Sequence, residues 1–315
     1  MKLSVVIPLY NKEFSIARAI HSVLAQTHKE FELIVVNDGS TDNSLEEARK
    51  INDHRIKIVN QKNKGVSAAR NRGVEAATSD FVCLLDADDE WKPGFLKAMD
   101  SLISNEPEAS MYTCRFLTVC EQGSAFLGRT IFDKNFSGEI ENFFYAYTKS
   151  RSLINSSSVC LNKKYLKQMG GFPETVNVGE DIFVWLQMAS LAPVMHTSEV
   201  LSIIHRDSEN RTVSRVSPSI PYHINYFFNI DGRGDSELVL KYPDLRKFIL
   251  HNALFHAVGI LMQGDRSLVR TISREVWRYS FFYSIAIFFT SFAPLGFIKK
   301  LRAVRNRPVK TLKVV

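Results

Sequence analysis

Over roughly its first hundred residues the chain alternates short apolar runs with segments of helical spacing, and this alternation restricts the fold more than any other feature. Leu3 to Ile7, Phe31 to Val36, Ile56 to Val59 and Phe81 to Leu85 are runs of strand length. Between them, Ile16 to Leu24, Leu45 to Ile51 and Val66 to Ala76 carry apolar residues at the spacing that gathers them on one side of a helix. The order βαβαβαβ predicts a Rossmann-like α/β fold, a mainly parallel central sheet with right-handed crossovers and helices on both faces.

Ligands of such sheets bind beyond the carboxyl ends of the strands. Three polar segments follow strands here: Leu9-Tyr10-Asn11, Asn37-Asp38-Gly39-Ser40 and Asp86-Ala87-Asp88. They are therefore expected to converge on one rim.

The group Asp86-Ala87-Asp88-Asp89 leaves a strand with a near-continuous apolar run, which delivers three carboxylates to its exit. Hard oxygen donors suit Mg²⁺ or Mn²⁺, ions that keep open positions for phosphate oxygens. A lone pair of this kind is also an ordinary capped turn. In Asn37-Asp38-Gly39-Ser40-Thr41-Asp42 a turn at Asp38-Gly39 and an N-cap at Thr41 or Asp42 explain Gly39 and the cap but do not need Asp38, whose carboxylate suits the imide of a base such as uracil. Tyr10, after Pro8, offers a ring on which a base can stack or which packs half-buried. Gly65 to Gly73 opens a helix whose small residues permit close approach, with Arg70 directed at phosphate or base, or lying solvated on the helix face.

Taken in order, Val5-Val6-Ile7-Pro8-Leu9-Tyr10-Asn11, Asn37 to Asp42, Gly65 to Gly73 and Asp86 to Asp89 resemble the family 2 inverting glycosyltransferases of GT-A fold. The resemblance is close over the first hundred or so residues and thins to isolated matches by about residue 215. It implies that Pro8, Tyr10, Glu13, Asp38 and Arg70 surround the nucleotide base and ribose of a nucleotide-sugar donor, a UDP-sugar by preference. Asp86 would contact ribose or donor sugar, and Asp88 the Mn²⁺ or Mg²⁺. Gly179-Glu180-Asp181, followed by an apolar run from Ile182, resembles the family's acidic pair below the acceptor. Asp181 is then the expected base, with Glu180 beside it, although acidic residues are favoured at any helix start. The segment Ser202 to Arg211 resembles the family's later histidine-containing segment, departing from its commoner form, and implies His205 at the metal or diphosphate and Arg211 at phosphate.

From residue 107 the texture changes: Met111 to Val119 reads as a strand, Gly123 to Gly138 is punctuated by glycine, Ser157 to Leu161 reads as a strand, and Gly170-Gly171-Phe172-Pro173 as a turn. The expected organisation is a catalytic domain over residues 1–218, with a donor half at 1–106 and an acceptor half at 107–218, and a helical region at 219–315. Length permits this, since 315 residues with 45% hydrophobic content bury a full core.

The net charge of +7 does not make a nucleic-acid binder. Lys299, Lys300, Arg302, Arg305, Arg307, Lys310 and Lys313 have no acid among them, so the whole excess sits in residues 299–315. Before this tail, residues 279–298 carry no charge. That length matches a spanning helix, but Pro294, Gly296 and several hydroxyl residues fit better a helix lying in the membrane plane with a basic tail on anionic lipid. Cys83, Cys114, Cys120 and Cys160 form no C-x-x-C pair, the pattern of buried cysteines in a reducing compartment. With strand-like residues directly after Met1, the expected location is the cytoplasmic face of the cell membrane and the expected acceptor a glycan or lipid-linked saccharide. A sugar-nucleotidyltransferase would need a Gly-rich, basic triphosphate loop after the first strand, where Leu9 to Glu13 stands. A non-catalytic nucleotide-sugar-binding module is the remaining alternative.

Overall fold

The structure, a computed structural model, describes residues 1–120, 124–150, 153–176, 178–208, 219–292 and 312–313. The chain divides into two compact units, one of Met1–Thr175, Gln187–Arg211 and Lys310–Val315, the other of Val176–Leu186 and Thr212–Val309.

The first unit begins with the expected alternation: β1 (Leu3–Leu9), α1 (Ile16–Leu24), β2 (Phe31–Asp38), α2 (Ser44–Arg49), β3 (Ile56–Gln61), α3 (Val66–Ala76) and β4 (Phe81–Leu84). Strands β3, β2, β1 and β4 lie side by side and parallel, with Leu33 opposite Ile56, Leu3 opposite Phe31 and Val5 opposite Cys83. There follow β5 (Glu90–Trp91), α4 (Phe95–Asn105), β6 (Met111–Val119), β7 (Ser124–Leu127), β8 (Ser137–Glu139), α5 (Phe143–Lys149), β9 (Val159–Asn162), α6 (Lys163–Gln168), α7 (Glu180–Leu191) and β10 (Val194–His205). Strand β9 enters antiparallel between β4 and β6, and β10 runs parallel to β6. At the far edge β11 (Leu312–Lys313) pairs antiparallel with β7.

The two-residue period of β1 decides which helix lies on which face. Leu3, Val5, Ile7 and Leu9 join Ile16, Ile20 and Val23 of α1 and Phe95 and Met99 of α4 in one buried core. Val6 points the other way, onto α3, where a Cβ on Gly73 would meet Val6 Cγ1 at 2.2 Å. Only glycine lets the α3 backbone come this close. Helices thus cover both faces, as the alternation predicts.

Several bounds shift by one or two residues, and two of the differences have a local cause. The strand expected from Ser157 starts at Val159, because Ser156–Ser158 forms a 3-10 turn closed by a capping box between Asn155 and Ser158. The N-cap of α2 is Asn43, not Thr41 or Asp42. Asp42 Oδ1 instead accepts from Ser44 N at 3.0 Å, and Glu13 Oε2 takes Asn43 N at 3.1 Å.

The second unit is helical, as expected after residue 219: the start of α7, then α8 (Tyr222–Phe227), α9 (Glu237–Lys241), α10 (Pro243–Met262), α11 (Arg266–Val276) and α12 (Phe281–Thr290). Asp265 caps α11 by accepting Leu268 N, and Ser280 caps α12 by accepting Tyr283 N. Helices α11 and α12 are joined by two buried bonds, Ser273 Oγ to Ser284 O at 2.9 Å and Ser284 Oγ to Ser273 O at 2.8 Å. Among the described residues no helix is long and apolar enough to cross a membrane. Within the charge-free segment α12 has ten residues, a length of about 15 Å. Residues 293–298 lie outside the described residues.

Candidate functional site

The segments that follow β1 and β2 are fastened to one another at the carboxyl end of the sheet. Asn11, at φ +50°, accepts Thr41 N on Oδ1 at 2.8 Å, and its own N–H donates to Ser40 Oγ at 3.2 Å. Lys12 N donates to Ser44 Oγ at 2.6 Å, and Glu13 Oε2 accepts the amide and side chain of Asn43. Pro8 is buried inside β1 opposite Val36, while Tyr10 stands at the rim with 38% of its surface open.

Asp38 has a structural task that its sequence context does not disclose. It is buried, and it accepts Gln61 Nε2 at 2.7 Å, Lys64 N at 2.9 Å and Gly65 N at 2.9 Å. It thereby pins the turn from β3 into α3. Arg70, one turn into that helix, is 4% exposed, so the solvated alternative is excluded. Its Nη2 donates to Asp86 Oδ1 at 2.9 Å and its guanidinium lies 5.5 Å from the Phe172 ring centre. The neighbouring Asn71 holds the Gly170-to-Pro173 turn by exchanging two 2.8 Å bonds with the Phe172 backbone.

The three carboxylates after β4 have separate environments. Asp86 is partly exposed and paired with Arg70. Asp88 Oδ2 accepts Lys12 Nζ at 2.7 Å and Ser208 Oγ at 2.6 Å, and the Asp88 carbonyl accepts Arg18 Nη2 at 2.6 Å. Asp89 is buried, accepting Ser157 Oγ and, at 2.9 Å, His205 N. Burial pushes its carboxyl well above the usual range, and the charges of Asp88 and Asp86 push it further.

Asp86 and Asp88 both carry a cation on an oxygen, Arg70 on the first and the Lys12 ammonium on the second. The Lys12 ammonium marks a place where positive charge is favourable, and a carboxylate with diphosphate oxygens is a donor set that suits Mg²⁺ or Mn²⁺. Among the described residues no three His, Cys, Asp or Glu side chains are arranged to hold a metal by themselves. His205 is brought near Asp88 through Ser208, whose Oγ reaches the His205 carbonyl at 3.4 Å. Its ring, however, sets Nε2 2.9 Å from Glu90 and Nδ1 3.6 Å from Asp207.

Glu180 and Asp181 occupy the first turn of α7, in the second unit. Asp181 Oδ1 accepts Ile182 N at 2.7 Å. Behind them Phe183 is buried against the Tyr222 and Tyr226 rings, at 4.9 and 4.7 Å. Gly179 enters the helix at φ +83°, and a Cβ there would meet His223 Nδ1 at 2.5 Å. His223 is fully buried, and burial, with His256 nearby, pulls its pKa down to about 3. Arg211 lies outside the described residues.

Lys12, Ser157, Ser208 and Asn71 are the residues that reasoning from sequence passes over. Lys12 and Asn71 lie inside segments singled out for other residues, Leu9 to Glu13 and Gly65 to Gly73. Ser157 lies in a serine run some 70 residues from the aspartates it bonds, and nothing local in the sequence marks it.

The family model described as Glycosyl transferase family 2 matches residues 4–164. An uncharacterized glycosyltransferase of Nostoc sp. is 48% identical over 96 residues, 30% of each chain. One of Rickettsia bellii is 30% identical over 212 residues, 67% of this chain. The match spans only 30% of the length of each of these relatives. Among solved structures, Staphylococcus aureus TarS residues 1–349 in complex with UDP-GlcNAc superposes with a TM-score of 0.72 at 20% identity, covering 96% of this chain and 92% of that one. The fold is that of TarS, the expected GT-A arrangement.

Proposed function

This chain belongs to glycosyl transferase family 2, and on that premise we propose that it transfers a hexosyl or N-acetylhexosaminyl group from a UDP-sugar to a glycan or lipid-linked acceptor, with inversion at the anomeric carbon. The observation that carries this reading is the convergence of Asn11, Lys12, Ser40 and Asp88 on one rim, with the Arg70–Asp86 pair beside Phe172 in the same unit. The UDP-GlcNAc held by TarS supports the choice of donor.

In this reading Tyr10 stacks on the base, and Asp38, whose oxygens fix the turn from β3 into α3, accepts the base imide as well. Pro8 and Glu13 shape that pocket by holding the first loop. Asp86, held by Arg70, faces ribose or donor sugar. Asp88 holds the divalent cation, which when bound neutralises charge on the departing diphosphate; His205 orders this corner through its backbone and Glu90, and Arg211 holds phosphate. Asp181, with Glu180, removes the proton from the acceptor hydroxyl, since direct displacement needs a carboxylate on the face opposite the leaving group. An acceptor on a cell-surface polysaccharide or glycolipid suits a protein working at the inner face of the membrane.

The test is transfer from a panel of UDP-sugars with Mn²⁺ by Asp88→Ala and Asp181→Ala. We expect each to lose about a hundredfold or more. Donor-dependent thermal stabilisation should survive in Asp181→Ala. Full transfer by both variants would overturn the assignment.

A further inference from the structure

Arg266, Arg270, Arg274 and Arg278 recur every fourth residue along α11 and just past its end, and all four are exposed. This spacing puts them on one side of the helix, opposite Val269, Ile272 and Val276, which are buried. The neighbouring α12 buries Ser284 and Ile287 and turns phenylalanines outward, Phe282 at 82% and Phe289 at 65% exposure. Trp277, also exposed, packs edge-on against Phe281 at 4.8 Å. The two faces meet where the Arg270 guanidinium lies 5.3 Å from the Phe292 ring centre. Between Arg266 and Phe292 the only acid is Glu275, 3.6 Å from Arg278.

Large aromatic rings at such exposure are unfavourable in water, and a row of guanidinium groups beside them suits one environment above others. At a lipid–water boundary the rings enter the acyl region while arginines reach the phosphates. We propose that the α11–α12 face docks this protein on an anionic phospholipid bilayer, with Arg266, Arg270, Arg274 and Arg278 on the headgroups and Phe282 and Phe289 inserted. In the sequence, five further basic residues, from Lys299 to Arg307, follow α12 with no acid among them. The expectation of a membrane-lying segment thus becomes a two-helix surface whose charges come from α11.

The test is co-sedimentation of the full chain with vesicles of phosphatidylcholine alone or with roughly a third phosphatidylglycerol. Binding is expected to the mixed vesicles, weakening with salt, and at least about tenfold less to phosphatidylcholine. Replacing the four arginines with Gln should reduce binding by about fivefold per residue. Phe282→Ser with Phe289→Ser should reduce it while leaving the circular dichroism spectrum unchanged, since both rings stand outside the core. Three results would overturn the proposal: no binding to either vesicle, arginine variants that bind like wild type, or a vesicle-free dimer that the phenylalanine substitutions dissociate.

Discussion

Lys12 Nζ lies 2.7 Å from Asp88 Oδ2, and both side chains are largely withdrawn from solvent, at 12% and 17% exposure. The ammonium therefore stands on the oxygen that the proposed cation would use, so binding of the metal must displace Lys12 toward the diphosphate or solvent. Removing the ammonium should ease entry. In Lys12→Met the Mn²⁺ concentration that half-saturates thermal stabilisation is expected to fall about fivefold, the equivalent of a part-buried ion pair of roughly 1 kcal/mol. Asp88→Asn should abolish the response, and an unchanged Mn²⁺ titration in Lys12→Met would rule out the competition.

Ser157 joins two of the three aspartates, accepting Asp86 N at 3.0 Å and donating to Asp89 Oδ2, while its carbonyl accepts Trp91 Nε1 at 2.7 Å. Alanine keeps the carbonyl bond and strands the other two groups in a buried place. We expect Ser157→Ala to lose about 1–3 kcal/mol in urea unfolding, together with weaker donor binding as Asp86 loses its anchor. Stability equal to wild type would mean that neither bond matters.

How much of this was legible from sequence follows from the range of the forces involved. Helices α1 and α3 have the bounds their apolar spacing predicts, because local periodicity and the sheet agree there. The rim was legible because strand direction in a βαβ chain fixes where each following loop emerges. The tasks of Asp38 and Ser157 were not, since their partners lie 23 or more residues away. Lys12 reaches Asp88 across 76 residues, and no pattern of adjacent residues encodes that pairing.

Buried histidines make stability depend on pH. Burial lowers His196 and His223 to about 3 and His256 to about 4. Each stays neutral in the folded chain where the unfolded chain takes up a proton. Stability is thus full above the ordinary histidine value near 6.5 and is lost as pH falls toward 4, by up to about 1.4 kcal/mol per unit for each histidine. Asp89, raised by burial, acts in the opposite sense: its contribution is present at low pH and lost as pH rises through its folded value. One such group against three leaves a net fall, so the urea midpoint should drop between pH 7 and pH 5. A midpoint that held steady or rose would contradict the burial of these rings.

Gly179 governs how Glu180 and Asp181 are presented. Its φ of +83° disfavours any side chain by about 1–2 kcal/mol, and a Cβ would press on His223 Nδ1 at 2.5 Å. In Gly179→Ala the first turn of α7 must shift or His223 must yield. A displacement of about 1 Å at a proton-abstracting carboxylate costs on the order of a hundredfold in rate. We therefore expect kcat to fall while the KM for the UDP-sugar, whose proposed contacts lie in the first unit, changes little. Adding His223→Ala removes the closest contact but not that with Pro221 Cβ at 3.1 Å or the dihedral cost, so the double variant should recover part of kcat. Equal losses of kcat in single and double variants would show that backbone conformation alone, without the His223 packing, sets the position of Asp181.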